Sequence, residues 1–250
     1  MINAILKHRS IRKYKSTPIA PDVLDEILEA GIRASNTGNM QVYSMVVTTD
    51  NALKEKLWEQ HFKQDMVKQA PVVITFCTDF NRFNKWCEQN KAEPGYDNFL
   101  SFYTGSVDAV IAAQNVAIEA ENKGLGVCYL GTTNYTTDKI IDILNLPKAV
   151  VPVTTLVIGY PDENPPLTDR LPAEAVVHRE TYQDFDSEKI DQVYNERDNS
   201  EETKQLLAEN KTETLAQVFT KYRYTKENNI NFSKSLLNTI EKQGFMNHGE

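Results

Sequence analysis

The chain has 250 residues, of which 40% are hydrophobic and 25% are charged, and its formal net charge is −8. This composition is typical of a globular protein with a full core, and it excludes collagen-like and intrinsically disordered chains. The acidic balance argues against general nucleic-acid binding, and the longest apolar run is too short to span a bilayer.

The cysteines and histidines do not form a recognisable metal site. Cys77, Cys87 and Cys128 are scattered and odd in number, and no CxxC, HExxH or GxSxG motif is present. We therefore expect reduced thiols in a cytoplasmic protein, no metal and no hydrolytic triad. The N-terminal residues also lack the apolar stretch of a signal peptide.

Strands and helices alternate along the first part of the chain. Apolar spacing predicts a helix over 21–34, and a polar loop over 35–41 leads to a buried strand over 43–47. A helix over 51–68 and a β-branched strand over 71–77 follow. Residues 81–98 are polar and aromatic, and we expect an irregular surface excursion there.

The second part begins with an alanine-rich helix. We expect Ser106 to cap the start of this helix and Gly124 to end it. We also expect neighbouring elements to bury the helix on both sides. A strand over 127–130, a helix over 138–144, a strand over 151–159 and an extended proline-rich stretch over 160–172 follow. The pattern predicts an α+β sandwich with one mixed sheet. We expect one domain over 1–250, in which 187–230 is a helical excursion or simply a solvated helical face.

The basic segment KHRSIRKYK, at residues 7–15, stands out in an acidic chain. In a helical turn, Arg9 and Arg12 would lie on the same side, with Ser10 between them. Guanidinium groups and a hydroxyl suit phosphate oxygens, so the segment predicts an anion site, although it could also be a solvated basic surface.

Two further features suggest a ligand, each with a structural alternative. Arg170 in PPLTDRLP is a second candidate for an anion, or it pairs with Asp169 or Glu174. Gly131 after a short strand would allow a ring to approach the backbone, or it simply makes a tight turn. Neither GxGxxG after a strand nor GxxxxGK[ST] is present.

Five motifs in order carry a resemblance over nearly the whole chain. HRSIRKYKSTPI, RASNTGNMQ, GLGVCYLG, YPDENPPLTDRLPAEAVVHRETY and IEKQGF resemble the FMN-dependent nitroreductase family. They are most similar to its NADPH-dependent, oxygen-insensitive nitroreductase and flavin reductase branch. The resemblance implies a nitroreductase-like sandwich with a central mixed, mainly antiparallel sheet flanked by helices. It also implies an intertwined homodimer with FMN at the subunit interface.

The resemblance also implies the site residues. Arg12 would stabilise charge at the flavin N1/O2 edge, and no side-chain acid or base is assigned. Arg197 would bind NADPH, or it forms an ion pair with Glu196 or Asp198. The implied FMN contacts are His8, Arg9, Ser10, Arg12, Asn36, Thr37, Gly38, Gln41, Gln64, Tyr129, Leu130, Gly131, Thr132 and Arg170.

The function implied by the resemblance is hydride transfer from NADPH through bound FMN to nitroaromatics, quinones or free flavin, with ping-pong kinetics. Two alternatives are open: a flavin or quinone reductase with incidental nitroreductase activity, and a non-catalytic flavin-storage protein. Thr168 and Met66 depart from the branch's pattern, Thr168 near the phosphate and Met66 near the pocket. No nucleic-acid or membrane partner is expected.

Overall fold

The structure is a computed structural model that describes residues 3–249. These residues form two compact units, one of residues 3–166 and 232–249 and the other of Leu167–Asn231. The second unit includes the predicted excursion at 187–230, and the single domain over 1–250 stays a prediction. Within residues 3–249, no helix combines the length and the hydropathy that a membrane span requires.

A four-stranded sheet organises the first unit. Its strands in chain order are β1 Tyr43–Thr48, β2 Val72–Asp79, β3 Gly126–Leu130 and β4 Val150–Gly159. The spatial order is β1-β2-β4-β3, and every neighbouring pair is antiparallel. Among the described residues, parallel pairing is limited to an isolated bridge between Ser10 and Val127. The predicted α+β class is confirmed.

Helices cover both faces of this sheet. They are α1 Asn3–Lys7, α2 Pro21–Ile32, α3 Asn51–Gln60, α4 Met66–Gln69, α5 Asn81–Gln89, α6 Phe99–Asn122 and α7 Thr137–Leu144. The second unit contains α8 Ser187–Asp198, α9 Glu201–Asn210, α10 Leu215–Val218 and the π-helical turn Phe219–Arg223, and the boundary between the units falls within α11 Lys226–Lys242. Short 3₁₀ turns lie at Thr37–Asn39, Gly131–Asn134 and Ala173–Ala175.

Three predicted elements are wrong in their bounds. The helix over 51–68 is two helices, because Phe62 and Lys63 adopt left-handed φ values of 55° and 57° between them. Residues 81–89 form α5 instead of an irregular excursion. The long helix begins at Phe99, where the Asn98 side chain accepts a hydrogen bond from the Ser101 N–H, so Ser106 lies inside the helix.

The sheet lies between two core clusters. On one face, the alanines of α6 and the apolar side of α2 pack against Ile74, Phe76 and Leu156. On the other face, residues of α3, α4 and α7 pack against Val73 and Val157. A third cluster joins the end of α11 to the sheet and α5; its buried members are Val42, Phe80, Val151, Ile240 and Phe245.

Helix α6 is buried on one side in the single chain, and the prediction that its second side is also buried stays a prediction for the assembled protein. Small side chains face the sheet, and at Gly105 an added Cβ would lie 2.9 Å from the Val42 carbonyl oxygen. The opposite side exposes an apolar stripe whose members recur at helical spacing. We call this the α6 stripe: Leu100, Tyr103, Val107, Val110 and Ile111.

Candidate active site

The basic segment runs along the edge of β3 in an extended conformation. Ser10 forms the bridge with Val127, and the Ile11 N–H donates to the Val127 carbonyl at 3.0 Å. The helical turn in which Arg9 and Arg12 would share a side does not form here. Pairing with β3 fixes the backbone, and Gly126 permits the close approach, because an added Cβ would lie 2.6 Å from the Ile11 Cγ1.

Two basic side chains of the segment, His8 and Arg9, have partners far along the chain. His8 Nδ1 lies 2.7 Å from Glu121 Oε1 on α6. Arg9 Nη1 donates to Asn164 Oδ1 at 2.8 Å and to the Pro165 carbonyl at 2.9 Å. Arg9, Asn164 and the His8 partner Glu121 line a cleft of about 410 Å³ between the segment, α6 and the chain after β4.

Arg12 is held by its backbone. Its N–H and the N–H of Lys13 both donate to the Glu163 carboxylate, while the Arg12 guanidinium is exposed. Glu163 therefore fixes the chain at this point without neutralising the guanidinium through an ion pair.

The turn that follows β3 combines a buried and an open position. The Leu130 side chain is buried in the core, so only its backbone can contact a ligand. An added Cβ at Gly131 would meet nothing within 4 Å. The Tyr129 hydroxyl donates to Gln114 Oε1 at 3.3 Å, and burial raises the pKa of Tyr129. The backbone at Gly131 thus offers room for a flat group.

Thr132 is held by the turn between α3 and α4. Its Oγ1 lies 2.8 Å from His61 Nδ1 and 3.4 Å from Gln64 Nε2. His61 is fully buried, and this burial lowers its pKa from 6.5 to about 4, so the ring is neutral at pH 7. Met66 packs in the core cluster formed with α3, α4 and α7.

The predicted flavin loop at 36–41 is attached to α6. The Thr37 N–H and hydroxyl donate to Asp108 Oδ1 at 2.9 and 3.0 Å, and Asp108 is buried. Asn36 Oδ1 accepts from the Gln41 N–H at 3.3 Å. Gly38 and Gln41 both have left-handed φ values, 56° and 54°, so the loop folds back tightly.

The second unit holds the remaining two predicted residues. Arg170 Nη1 donates to the backbone carbonyls of Thr168 at 3.2 Å and Asp169 at 2.8 Å, so neither expected side-chain pair forms. Arg197 Nε donates to Asp169 Oδ2 at 2.6 Å. The alternative ion pair with Glu196 or Asp198 does not form, because Asp169, 28 positions away, holds the guanidinium instead.

The structure brings some of the predicted residues together directly. Gln64 touches Thr132, and Ser10 pairs with the strand that leads to the Gly131 turn.

Sequence reasoning missed the side chains that hold the predicted site residues in place. Only Asp108 gave a signal, as the one charge of α6 before Glu119. The other missed residues are His61, Glu121, Glu163 and Asn164. In residues 3–249, no group of three or more His, Cys, Asp or Glu side chains could hold a metal ion.

Comparison with known proteins identifies the family. Residues 5–64 and 58–160 match the sequence profile of the Nitroreductase family. The FMN reductase [NAD(P)H] of Bacillus subtilis (strain 168) is 33% identical over 98% of this chain and 97% of its own. The oxygen-insensitive NADPH nitroreductase of Salmonella typhimurium is 36% identical over 78% of this chain and 80% of its own.

A solved structure agrees with this result. A crystal structure of a protein from Bacteroides fragilis superposes with a TM-score of 0.97 at 48% identity, covering 98% of this chain and 100% of the other. The chain belongs to the Nitroreductase family.

Proposed function

We propose that the chain is an FMN-dependent oxidoreductase that passes hydride from NADPH through bound FMN to nitroaromatics, quinones or free flavin. The names of its relatives, an FMN reductase and an NADPH nitroreductase, support this class of reaction. The observation that carries the proposal is the open backbone at Gly131. Gly131 lies next to the Thr132 hydroxyl, which His61 holds in place, and it follows β3, the edge strand that pairs with the basic segment.

The arginines support an anionic ligand. Among residues 3–249, the guanidiniums of Arg9, Arg12 and Arg170 form no ion pair with a carboxylate, although the chain carries an excess of acidic residues. Arg9 and Arg170 donate only to amide and carbonyl oxygens. Positive charge left without a carboxylate partner suits phosphate, so we assign Arg9 to the FMN phosphate and, separately within the second unit, keep Arg170 as a candidate phosphate ligand.

Arg197 differs from these three arginines because Asp169 already occupies it. We assign Arg197 to the 2′-phosphate of NADPH, which would have to exchange with the Asp169 carboxylate. This exchange makes NADPH binding at Arg197 sensitive to the charge at residue 169.

FMN, when bound, would supply the hydride chemistry between the nicotinamide and the acceptor. The chain binds, orients and tunes that group. Gly131 leaves space for the ring, Thr132 presents a hydroxyl, and the Arg12 guanidinium stabilises negative charge as it develops. We expect donor and acceptor to occupy the same site in turn, which would give ping-pong kinetics.

We infer a homodimer with FMN sites at the subunit interface, and the α6 stripe supports the association of two chains. Five apolar side chains on one exposed helix face are unusual in a monomer. The loop at 36–41 is anchored to Asp108, which follows the stripe residue Val107, so the loop starts beside the proposed interface. A cytoplasmic location is supported by the three buried cysteines, which are all unpaired thiols.

Gly131→Ala tests the proposal against the matched change Gly95→Ala. An added Cβ has open space at both positions, and neither has a left-handed φ, so both variants should unfold at the same urea concentration as the wild type. We expect FMN affinity to fall about tenfold for Gly131→Ala alone, a loss of about 1.4 kcal/mol. Quenching of FMN fluorescence on titration measures this affinity.

Anaerobic NADPH addition completes the test. The flavin absorbance of the wild type should bleach and then return when a nitroaromatic or quinone is added. Bands that neither NADPH nor NADH bleaches would favour the flavin-storage alternative. A chain that takes up no FMN would overturn the proposal.

A further inference from the structure

We propose that His61 is a positioning residue: its neutral ring donates a hydrogen bond to Thr132 and leaves the Thr132 hydroxyl proton for an acceptor atom of the bound flavin. This inference rests on the proposed function. It concerns a side chain that no motif of the sequence marks.

The contact is specific and deeply buried. His61 has no exposed surface, and its Nδ1 lies 2.8 Å from Thr132 Oγ1, although the two residues are 71 positions apart. Gln64 Nε2 approaches the same oxygen at 3.4 Å and also donates to the His61 carbonyl at 3.0 Å. Two side chains of one short turn therefore converge on a single hydroxyl.

The turn that carries His61 has an unfavourable backbone. Phe62 and Lys63 both adopt left-handed φ values, which cost energy for residues with a Cβ. Residues kept in such conformations are held there by their surroundings and cluster at functional sites. Here the conformation places His61 and Gln64 so that both reach Thr132.

A stack of aromatic rings fastens the far end of the same segment. Phe62 stacks on Tyr135 with ring centroids 6.0 Å apart, and Tyr135 stacks on Phe232 at 4.2 Å. Tyr135 directly follows the turn Gly131–Asn134. The turn is thus fixed by His61 at Thr132 and by Phe62 at Tyr135, while the space in front of Gly131 is open.

The hydrogen-bond partners of His61 and Thr132 decide which of their atoms carry protons. His61 Nε2 is buried and has no hydrogen-bond partner among the described residues. A buried acceptor without a partner is more common than a buried N–H without one, so the proton belongs on Nδ1. The Thr132 oxygen then accepts from His61 and from Gln64 Nε2. Its own proton has no acceptor among residues 3–249 and is available to a ligand.

Four single variants and one double variant test this arrangement. His61→Leu removes the donor, whereas His61→Asn places an amide near the position of Nδ1. Thr132→Val removes the hydroxyl, whereas Thr132→Ser keeps it. We expect His61→Leu and Thr132→Val to weaken FMN binding about tenfold each and to shift the visible flavin band alike. His61→Asn and Thr132→Ser should restore both quantities.

The double variant His61→Leu/Thr132→Val should bind FMN no more weakly than either single variant, because the two changes remove the same interaction. Additive losses would overturn the inference. So would a His61→Leu protein that melts earlier but has the wild-type FMN affinity and spectrum, since His61 would then be only structural. If His61→Leu does not fold, unchanged FMN binding and spectrum in Thr132→Val would overturn it. A wild-type chain without FMN would overturn the proposed function as well.

Discussion

At the scale of the residue, Asp108 fixes a loop that is remote from it in the sequence. Its carboxylate accepts from the backbone and the hydroxyl of Thr37, and it is almost completely buried. A buried carboxylate needs such donors, because burial without them is costly. The loop at 36–41 consequently takes its position from α6.

The buried imidazole of His61 makes stability depend on pH. Its pKa is about 4 in the folded chain and 6.5 ordinarily, so the unfolded chain binds more protons between these values. Stability should be complete above about pH 6.5 and should fall as the pH drops towards 4. At pH 4.5 the loss from this group is about 2.5 kcal/mol. Urea unfolding at pH 7.5 and 4.5 measures it.

The control for this prediction is His248→Asn, which removes an exposed histidine and should leave the pH dependence unchanged. His61→Asn should lose most of the difference that belongs to His61. The same pH dependence in His61→Asn and the wild type would contradict the prediction.

Residue types in the sequence identified candidates for the site but not their partners. HRSIR predicted an anion site from its guanidiniums, yet the partners of His8 and Arg9 lie 113 and 155 residues away. No spacing rule connects positions so far apart. His61 could not be found for the same reason, since its partner Thr132 becomes a neighbour only when β3 joins the sheet.

At the scale of the element, β3 depends on the segment that runs beside it. Ser10 and Ile11 pair with Val127, and Gly126 leaves the space that the Ile11 side chain fills. The segment therefore covers the outer edge of β3. Its position decides where the basic side chains of residues 7–15 can reach.

Gly126→Ala should separate this segment from β3. The new Cβ would lie within 3 Å of three Ile11 side-chain carbons, so the segment must shift. We expect a loss of about 2 kcal/mol in the free energy of unfolding, which urea denaturation measures, together with weaker FMN binding.

Gly131→Ala is the control for stability, because it adds the same methyl group where space is open. Equal unfolding midpoints for the two variants would show that the contact between Gly126 and Ile11 does not constrain the segment.

Strands were easier to predict than helices. All four predicted strands exist, because buried β-branched runs are distinctive. The break between α3 and α4 was missed, because Phe62 and Lys63 are not residues that usually adopt left-handed φ. Helix α5 was missed because its buried surface is small: only Cys87 is buried, and polar residues dominate.

At the scale of the whole molecule, the α6 stripe predicts the assembly. Charging it with Val107→Asp and Val110→Asp should convert the proposed homodimer to a monomer and remove FMN binding, because apolar contact would be replaced by repulsion. Sedimentation velocity and FMN titration measure the two effects.

Ile190→Asp on α8 changes an apolar side chain of similar exposure, 42% against 40% for Val107, and should leave the proposed homodimer intact. A doubly charged α6 variant that stays dimeric would place the interface elsewhere.

The α+β class could be predicted from the alternation of strands and helices, but the contacts between distant parts of the chain that complete the core could not. The third core cluster combines Val42 and Phe80 with Ile240 and Phe245 from opposite ends of the chain. Sequence periodicity reports which side of a helix is apolar, but it does not report which distant surface that side will meet.

This third cluster also has a consequence for the order of events during synthesis. A ribosome makes Val42, Phe80 and Val151 well before Ile240 and Phe245. Gln243 must also appear before its side chain can donate to the Val150 carbonyl. The nascent chain therefore carries an uncovered patch around Phe80 until translation has passed Phe245, and in that interval it needs protection from aggregation.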